Sequence, residues 1–361
     1  PSRGGPGARA TPHGHHHGRL GGAEVNGPGV PTLSGTVAVP LVRHRRVTFR
    51  AMASDVTLQL VDPGPTATEA LAGAQQVFRD VEAACTRFDP DSPLMRANAR
   101  GEDWTPVPRA CFDALRAAHR AHLETAGLFD PRVLRTLEGL GYDRSLPFAA
   151  GGVAVPAGDA AIGWTEQRPA WAPAFDDAAC AVRVGPEPVD LGGIGKGLAV
   201  HRAAALLAPA ARGVLVEAGG DCEMRGPAPD GQLWLVGVED PSGHPAQDGP
   251  EEPVAVVGVR DAACATSSVR VRRWTSGGRA VHHLIDPRTG APGDGGLLSV
   301  SVVATDAARA ETWSKALFLS GAAAITQLAS SHDLAALWVT EAGELGTSPA
   351  AEPLVVWRRC P

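Results

Sequence analysis

Val281–Gly293 (VHHLIDPRTGAPG) places two imidazoles, a carboxylate, a guanidinium and a hydroxyl beside a run of Gly and Pro. Histidine is the side chain best suited to take a proton near neutral pH. His283 precedes Asp286, Arg288 and Thr289 at close spacing, so the segment suits a proton-accepting loop or a polar surface turn. The residue types alone leave both readings open.

Other stretches carry complementary chemistry. Val189–Gly197 (VDLGGIGKG) precedes an expected helix, where glycines let the backbone approach a ligand and free amides suit a phosphate. Lys196 adds charge. The P-loop pattern fails, because Asp190 stands where it needs glycine and Gly197 where it needs Ser or Thr, and the dinucleotide spacing fails as well. The alternatives are a phosphate cradle and a structural glycine turn. Glu217–Cys222 (EAGGDC) reads as a site built on Gly219, Gly220 and Asp221, or as a hairpin turn in which Asp221 caps its own backbone. Gly127–Val133 (GLFDPRV) reads as a polar site or a helix-ending Asp-Pro turn. In Arg87–Asn98 (RFDPDSPLMRAN), Phe88 offers a face for stacking on a planar ring or belongs to the core. In Ala310–Phe318 (AETWSKALF), Glu311 and Lys315 stand four apart, as a surface ion pair or as two groups turned into a site.

Composition sharpens one of these readings. Of 33 Lys and Arg residues only Lys196 and Lys315 are lysines, which marks two positions where a compact, flexible ammonium is used. A net charge of −6 gives no reason to expect a nucleic-acid or anionic-membrane partner. The six cysteines lack a CxxC pair and read as buried thiols in a reducing compartment, with no zinc site expected. No stretch reaches the ~18 consecutive apolar residues of a membrane helix. The expected location is cytoplasmic; the chain begins at Pro1, so a removed export signal stays open.

The elements that must position these groups follow from periodicity. Residues 1–36, rich in Gly, Pro and His, read as a disordered tail ahead of a single domain over residues 37–361. His13, His15, His16 and His17 in that tail suit transition-metal binding or a flexible tail without catalytic consequence. Val47–Leu60 alternates as one or two strands. Helices are expected over Ala67–Thr86, Arg109–Thr125, Gly195–Leu207, Ala307–Leu319 and Ala322–Leu328. Strands are expected at Val214–Glu217, Leu233–Val238, Val254–Val259 and Leu298–Val303, and turns with short strands between Pro147 and Pro173. Early helices and later strands without a strict βαβ rhythm indicate an α+β domain, with antiparallel sheets and packed helices, rather than a doubly wound sheet.

Taken in order, these segments resemble the ApbE family, the FAD:protein FMN transferases. The resemblance runs from about Arg50 to Gly321 and rests on eight ordered matches: MAS from Met52, TRFDPDSPLMRAN from Thr86, GLFDP from Gly127, DLGGIGKG from Asp190, AGGD from Ala218, ATSS from Ala265, HLIDPRTG from His283 and AETWSKAL from Ala310. It implies an ApbE-type, T-fold-like domain that binds FAD, cleaves its pyrophosphate, moves the FMN half onto a Ser or Thr hydroxyl of an acceptor flavoprotein and releases AMP. FAD hydrolysis to FMN and AMP, and FAD binding without turnover, are the alternatives. By the resemblance, Met52, Phe88, Leu128, Phe129, Asp130, Asp190, Gly193, Lys196, Gly219, Gly220, Asp221 and Ile285 contact FAD. His283 acts as base, with Asp286 orienting the loop or the imidazole. Mg²⁺ is expected through the Gly195 carbonyl and two side chains of the late helix, which here are Glu311 and Lys315. A protonated lysine is no ligand, so Lys315 stands where the ion would, or Ser314 or water replaces the lost ligand. Met52-Ala-Ser also departs from the family's Met-Gly-Thr, adding a methyl group in the turn.

Overall fold

The computed structural model describes residues 43–148, 152–156, 168–241, 243 and 252–359. The Gly/Pro/His-rich tail expected at the N-terminus lies outside them. An eight-stranded sheet runs His44–Ala51, Ser54–Pro63, Ala211–Ala218, Asp221–Arg225, Ala262–Ser268, Leu297–Ala304, Ala335–Thr340 and Leu345–Thr347, each strand pairing antiparallel with the next. The Val47–Leu60 pattern is therefore two strands, closed by a tight turn at Met52 and Ala53.

Period-two alternation gives this sheet two buried faces. Val56, Leu58, Leu60, Val214 and Val216 face a layer of helices, whereas Cys222, Met224, Cys264 and Val339 face a three-stranded sheet of Trp234–Val238, Ala255–Val259 and Val355–Arg358. Asp221 and Glu223 alternate with Cys222 and Met224, so both carboxylates are turned toward the helices and buried. That placement brings an acid under the glycine-rich helix start.

The helices are α1 (Ala67–Cys85), α2 (Pro93–Arg100), α3 (Arg109–Glu124), α4 (Leu134–Gly139), α5 (Gly195–Leu207), α6 (Ala307–Ser320) and α7 (Ile325–Ser331). α5 has the expected bounds. Its close crossing with α6 needs Gly197, where a Cβ would stand 2.4 Å from the Ala307 carbonyl oxygen. α2 and α4 were not among the expected helices; α2 is capped by Ser92, whose Oγ accepts the Met95 N–H at 3.1 Å, with Pro93 in its first turn. α7 begins three residues later than expected, because Gly321 at φ +79° turns the chain before the helix starts.

Candidate active site

A cleft of about 650 Å³ opens against the helix layer, a volume suited to one cofactor-sized ligand. Met52, Phe88, Leu128, Phe129, Asp130, Asp190, Gly193, Gly195, Lys196, His283, Ile285 and Lys315 all line it. Residues scattered through most of the chain are thus brought to one surface.

Two loops carrying the same Asp-Pro-Arg sequence are built by one device. In Asp130-Pro131-Arg132, Asp130 Oδ1 accepts the Arg132 backbone N–H at 2.9 Å, and the guanidinium grips the carboxylate at 3.0 and 2.6 Å. In Asp286-Pro287-Arg288 the matching distances are 2.8, 2.9 and 2.7 Å. Burial opposes the charge on Asp130, but Arg132 holds its carboxyl below the usual value. Both carboxylates therefore serve their own loops, which favours the turn reading of Gly127–Val133. Of the two roles expected for Asp286, orienting the loop or the imidazole, its contacts match the first: it shapes the loop after His283, and its carboxylate is held by Arg288.

The first of these loops is fixed further by His122 and Thr125. Trp171 N–H donates to His122 Nε2 at 3.0 Å, so Nδ1 carries the ring proton and donates to the Phe129 carbonyl at 3.1 Å. Burial pushes His122 below its ordinary value, consistent with a neutral positioning ring. Asp190 N–H donates to the Pro131 carbonyl at 2.7 Å, joining this loop to the glycine-rich one.

Arg87 lies between two aromatic rings, its guanidinium 4.3 Å from the centroids of Phe88 and Tyr142. Its Nε pairs with Asp190 at 2.9 Å, while Nη2 is buried without a hydrogen-bond partner among the described residues. Phe88 is 44 % exposed, which leaves aromatic surface for a planar ligand. Gly193 allows close approach: a Cβ there would stand 3.1 Å from Lys315 Cε and 3.2 Å from the Phe129 ring, and both would have to give by a few tenths of an ångström.

Beneath the start of α5 lies a buried cluster of four charges. Lys196 pairs with Asp221, and Lys315 Nζ lies 3.2 Å from Glu311 Oε1. Lys196 Nζ is also 3.9 Å from Glu311, whose Oε2 accepts the Gly197 N–H at 2.8 Å. Burial works against every member. The two ammonium groups nevertheless hold Glu311 below its ordinary value, and Asp221 with Glu311 holds Lys196 above its own. Burial leaves Lys315 somewhat below the usual lysine range.

Asp221, Glu311 and Ser314 support the cleft without lining it; Ser314 Oγ is fully buried, 2.8 Å from Ser267 Oγ. Gly219 and Gly220 depart from expectation. They form the hairpin turn after Ala211–Ala218, at φ +56° and +93°, with Glu217 accepting the Gly220 N–H at 2.9 Å. Glycine is there for the left-handed backbone, not for ligand approach.

His283 follows the strand Arg279–His282, which pairs with Arg273–Ser276. Its Nδ1 lies 3.3 Å from the Arg272 carbonyl, and since a carbonyl only accepts, Nδ1 carries the proton and Nε2 keeps its lone pair. Burial, then the charges of Arg272 and Lys315, push His283 well below its ordinary value. The ring is neutral and can accept a proton. His282 is occupied by the Gly293 carbonyl at 2.9 Å. Arg272 was not anticipated: it lines the cleft and its charge acts on both His283 and Lys196.

As a site for a divalent ion, the residues fit poorly. Among the described residues no three His, Cys, Asp or Glu side chains converge as ligands. Glu311 is already engaged by an ammonium and an amide, Ser314 is tied to Ser267, and Lys315 brings a positive charge.

Fold and cleft together define an enzyme-type site for an anionic, ring-bearing ligand, with cations and an uncharged imidazole sharing its walls. The ApbE family model matches residues 52–338, most of the chain. FAD:protein FMN transferase of Salmonella typhimurium is 29 % identical over 263 residues, 70 % of this chain and 72 % of the relative. The Klebsiella pneumoniae protein of the same name is 28 % identical over 264 residues, again 70 % and 72 %. The solved ApbE protein of Thermotoga maritima superposes with a TM-score of 0.72 at 25 % identity, covering 86 % of this chain and 99 % of its own. The apo flavinyl transferase ApbE of Pseudomonas stutzeri gives 0.69 at 21 %, covering 87 % and 97 %. The chain belongs to the ApbE family.

Proposed function

We propose that this protein transfers the FMN half of FAD to a Ser or Thr hydroxyl of an acceptor flavoprotein. The observation that carries the reading is His283, a neutral base whose Nε2 keeps its lone pair, in a cleft that it shares with Lys196, Lys315 and Arg272. The acceptor oxygen attacks the FMN phosphorus, its proton passes to His283 Nε2, and the bridging P–O bond breaks. AMP departs with the bridging oxygen. The cations offset charge on the phosphoryl oxygens as it builds, and Phe88 offers its face to the flavin or adenine ring. The names of the relatives support the same chemistry. No step is routed through a metal, because the residues present do not fit one.

The test mixes the protein with FAD and a flavoprotein fragment bearing an acceptor threonine. Covalent flavin fluorescence on the fragment, with AMP formed in equal amount, is expected. AMP without labelled fragment would instead indicate hydrolysis, and retained FAD with no AMP a binding protein.

A further inference from the structure

The cluster of Lys196, Asp221, Glu311 and Lys315 contains its own counter-charges, two ammonium groups against two carboxylates. A divalent ion held by Glu311 would have to displace Lys315 Nζ from Oε1, where it lies at 3.2 Å, and approach Lys196 as well. Lys315 is not confined to that ion pair. Its stem passes Gly193, its side chain lines the cleft, and its charge acts on His283. An ammonium has three N–H donors. Glu311 accepts through Oε1 at 3.2 Å and its main-chain oxygen at 3.4 Å, which leaves one donor for a ligand oxygen.

We propose that the Lys315 ammonium supplies the charge compensation that a bound divalent cation would otherwise bring, so that flavin transfer by this chain proceeds without divalent metal. The inference rests on the flavin-transferase reading above. Fixed cations aimed at phosphoryl oxygens serve this purpose where no metal is present, and Glu311 then acts as a positioning residue that holds Nζ. The reaction is unchanged in its atoms: the acceptor O–P bond forms, the bridging P–O bond breaks, and the proton goes to His283.

The test is metal titration of the protein after EDTA treatment, with FAD and the acceptor-threonine fragment. Rates in EDTA and in excess Mg²⁺ are expected to agree within about twofold, and Lys315→Thr to lose about 10²–10³-fold in EDTA, on the scale of one transition-state donor. A second readout needs no turnover: Mn²⁺ added with FAD is expected to stay free by electron paramagnetic resonance in the native protein. A native rate that collapses in EDTA and returns with Mg²⁺, or stoichiometric Mn²⁺ binding, overturns the proposal. If neither metal condition yields AMP or labelled fragment, the flavin-transferase reading fails, while the Mn²⁺ measurement still decides whether Lys315 excludes an ion. Lys315→Met, checked for native melting, stands in if the threonine variant does not fold.

Discussion

Replacing His283 by asparagine removes the ring nitrogen that accepts a proton while keeping an amide able to donate to the Arg272 carbonyl. In the native protein that carbonyl lies 3.3 Å from Nδ1, which leaves the lone pair on Nε2. A positioned general base contributes about 10²–10⁴-fold, equivalent to roughly 3–5 kcal/mol of barrier. The asparagine variant should lose that much in kcat with FAD affinity changed by less than about threefold. The pH profile adds an independent check. Burial and the neighbouring cations depress the His283 pKa well below 6.5, so the base stays neutral on the acid side and the acid limb of the rate should fall below pH 6.5. Stability follows the same sign. Below pH 6.5 the unfolded histidine gains a proton that the folded one resists, so stability falls as pH drops toward the folded value, with a limiting slope of about 1.4 kcal/mol per pH unit. The variant should lack this part of the acid loss. AMP release followed by chromatography, acceptor fluorescence, and urea unfolding across pH measure these quantities. A variant that keeps more than about a tenth of native kcat would refute the assignment of the base.

Four further substitutions probe the scaffold and the cleft. Ala53 sits at φ +57° beside Met52 at +52°, and Ala53→Gly should raise stability by about 0.5–1 kcal/mol by relieving left-handed strain; an unchanged or lower melting temperature would contradict this. Asp130→Asn should cost about 3–5 kcal/mol, because it breaks a pair whose side chains are only 4 % and 6 % exposed. Asp286→Asn should cost less, about 1 kcal/mol, since Arg288 is 57 % exposed, and equal losses in urea melts would count against the contrast. Phe88→Ala should weaken FAD binding by about 1 kcal/mol, read from flavin fluorescence quenching, with kcat little altered.

The α+β architecture was legible because its signals are local. Gly195–Leu207 reads as a helix from its own residues, and the Val47–Leu60 alternation shows two strands once Met52-Ala53 is recognised as a turn. α2 carried a readable start in Ser92-Pro93, but its buried face is only Leu94 and Ala97 within eight residues, too short a run for a helical period to stand out. The site was legible where a residue type is rare or a pattern repeats. The paired Asp-Pro-Arg turns stand in plain sight, although only coordinates reveal that Asp286 belongs to Arg288 and not to His283. Arg272 was hidden among Arg270 and Arg273, identical in type. Which of the three enters the cleft depends on pairing of Arg273–Ser276 with Arg279–His282, a contact that local periodicity does not encode.

The use of lysine at two positions has a physical basis in the charge cluster. A guanidinium carries five donors on a broad plane, whereas an ammonium is a point charge on a slender stem. Lys315 must pass a glycine whose missing Cβ would lie 3.1 Å from Cε, with the Phe129 ring beside it. Its Nζ then meets Glu311 Oε1, the oxygen that also lies 3.9 Å from Lys196 Nζ. Two guanidinium planes directed at one carboxylate oxygen would crowd each other and leave donors unmatched in a buried site, a costly arrangement. Lysine places the same two charges with fewer groups to satisfy. The compositional outlier and the packing constraint at Gly193 are therefore two views of one requirement: compact cations against buried acids, with a donor kept for the ligand.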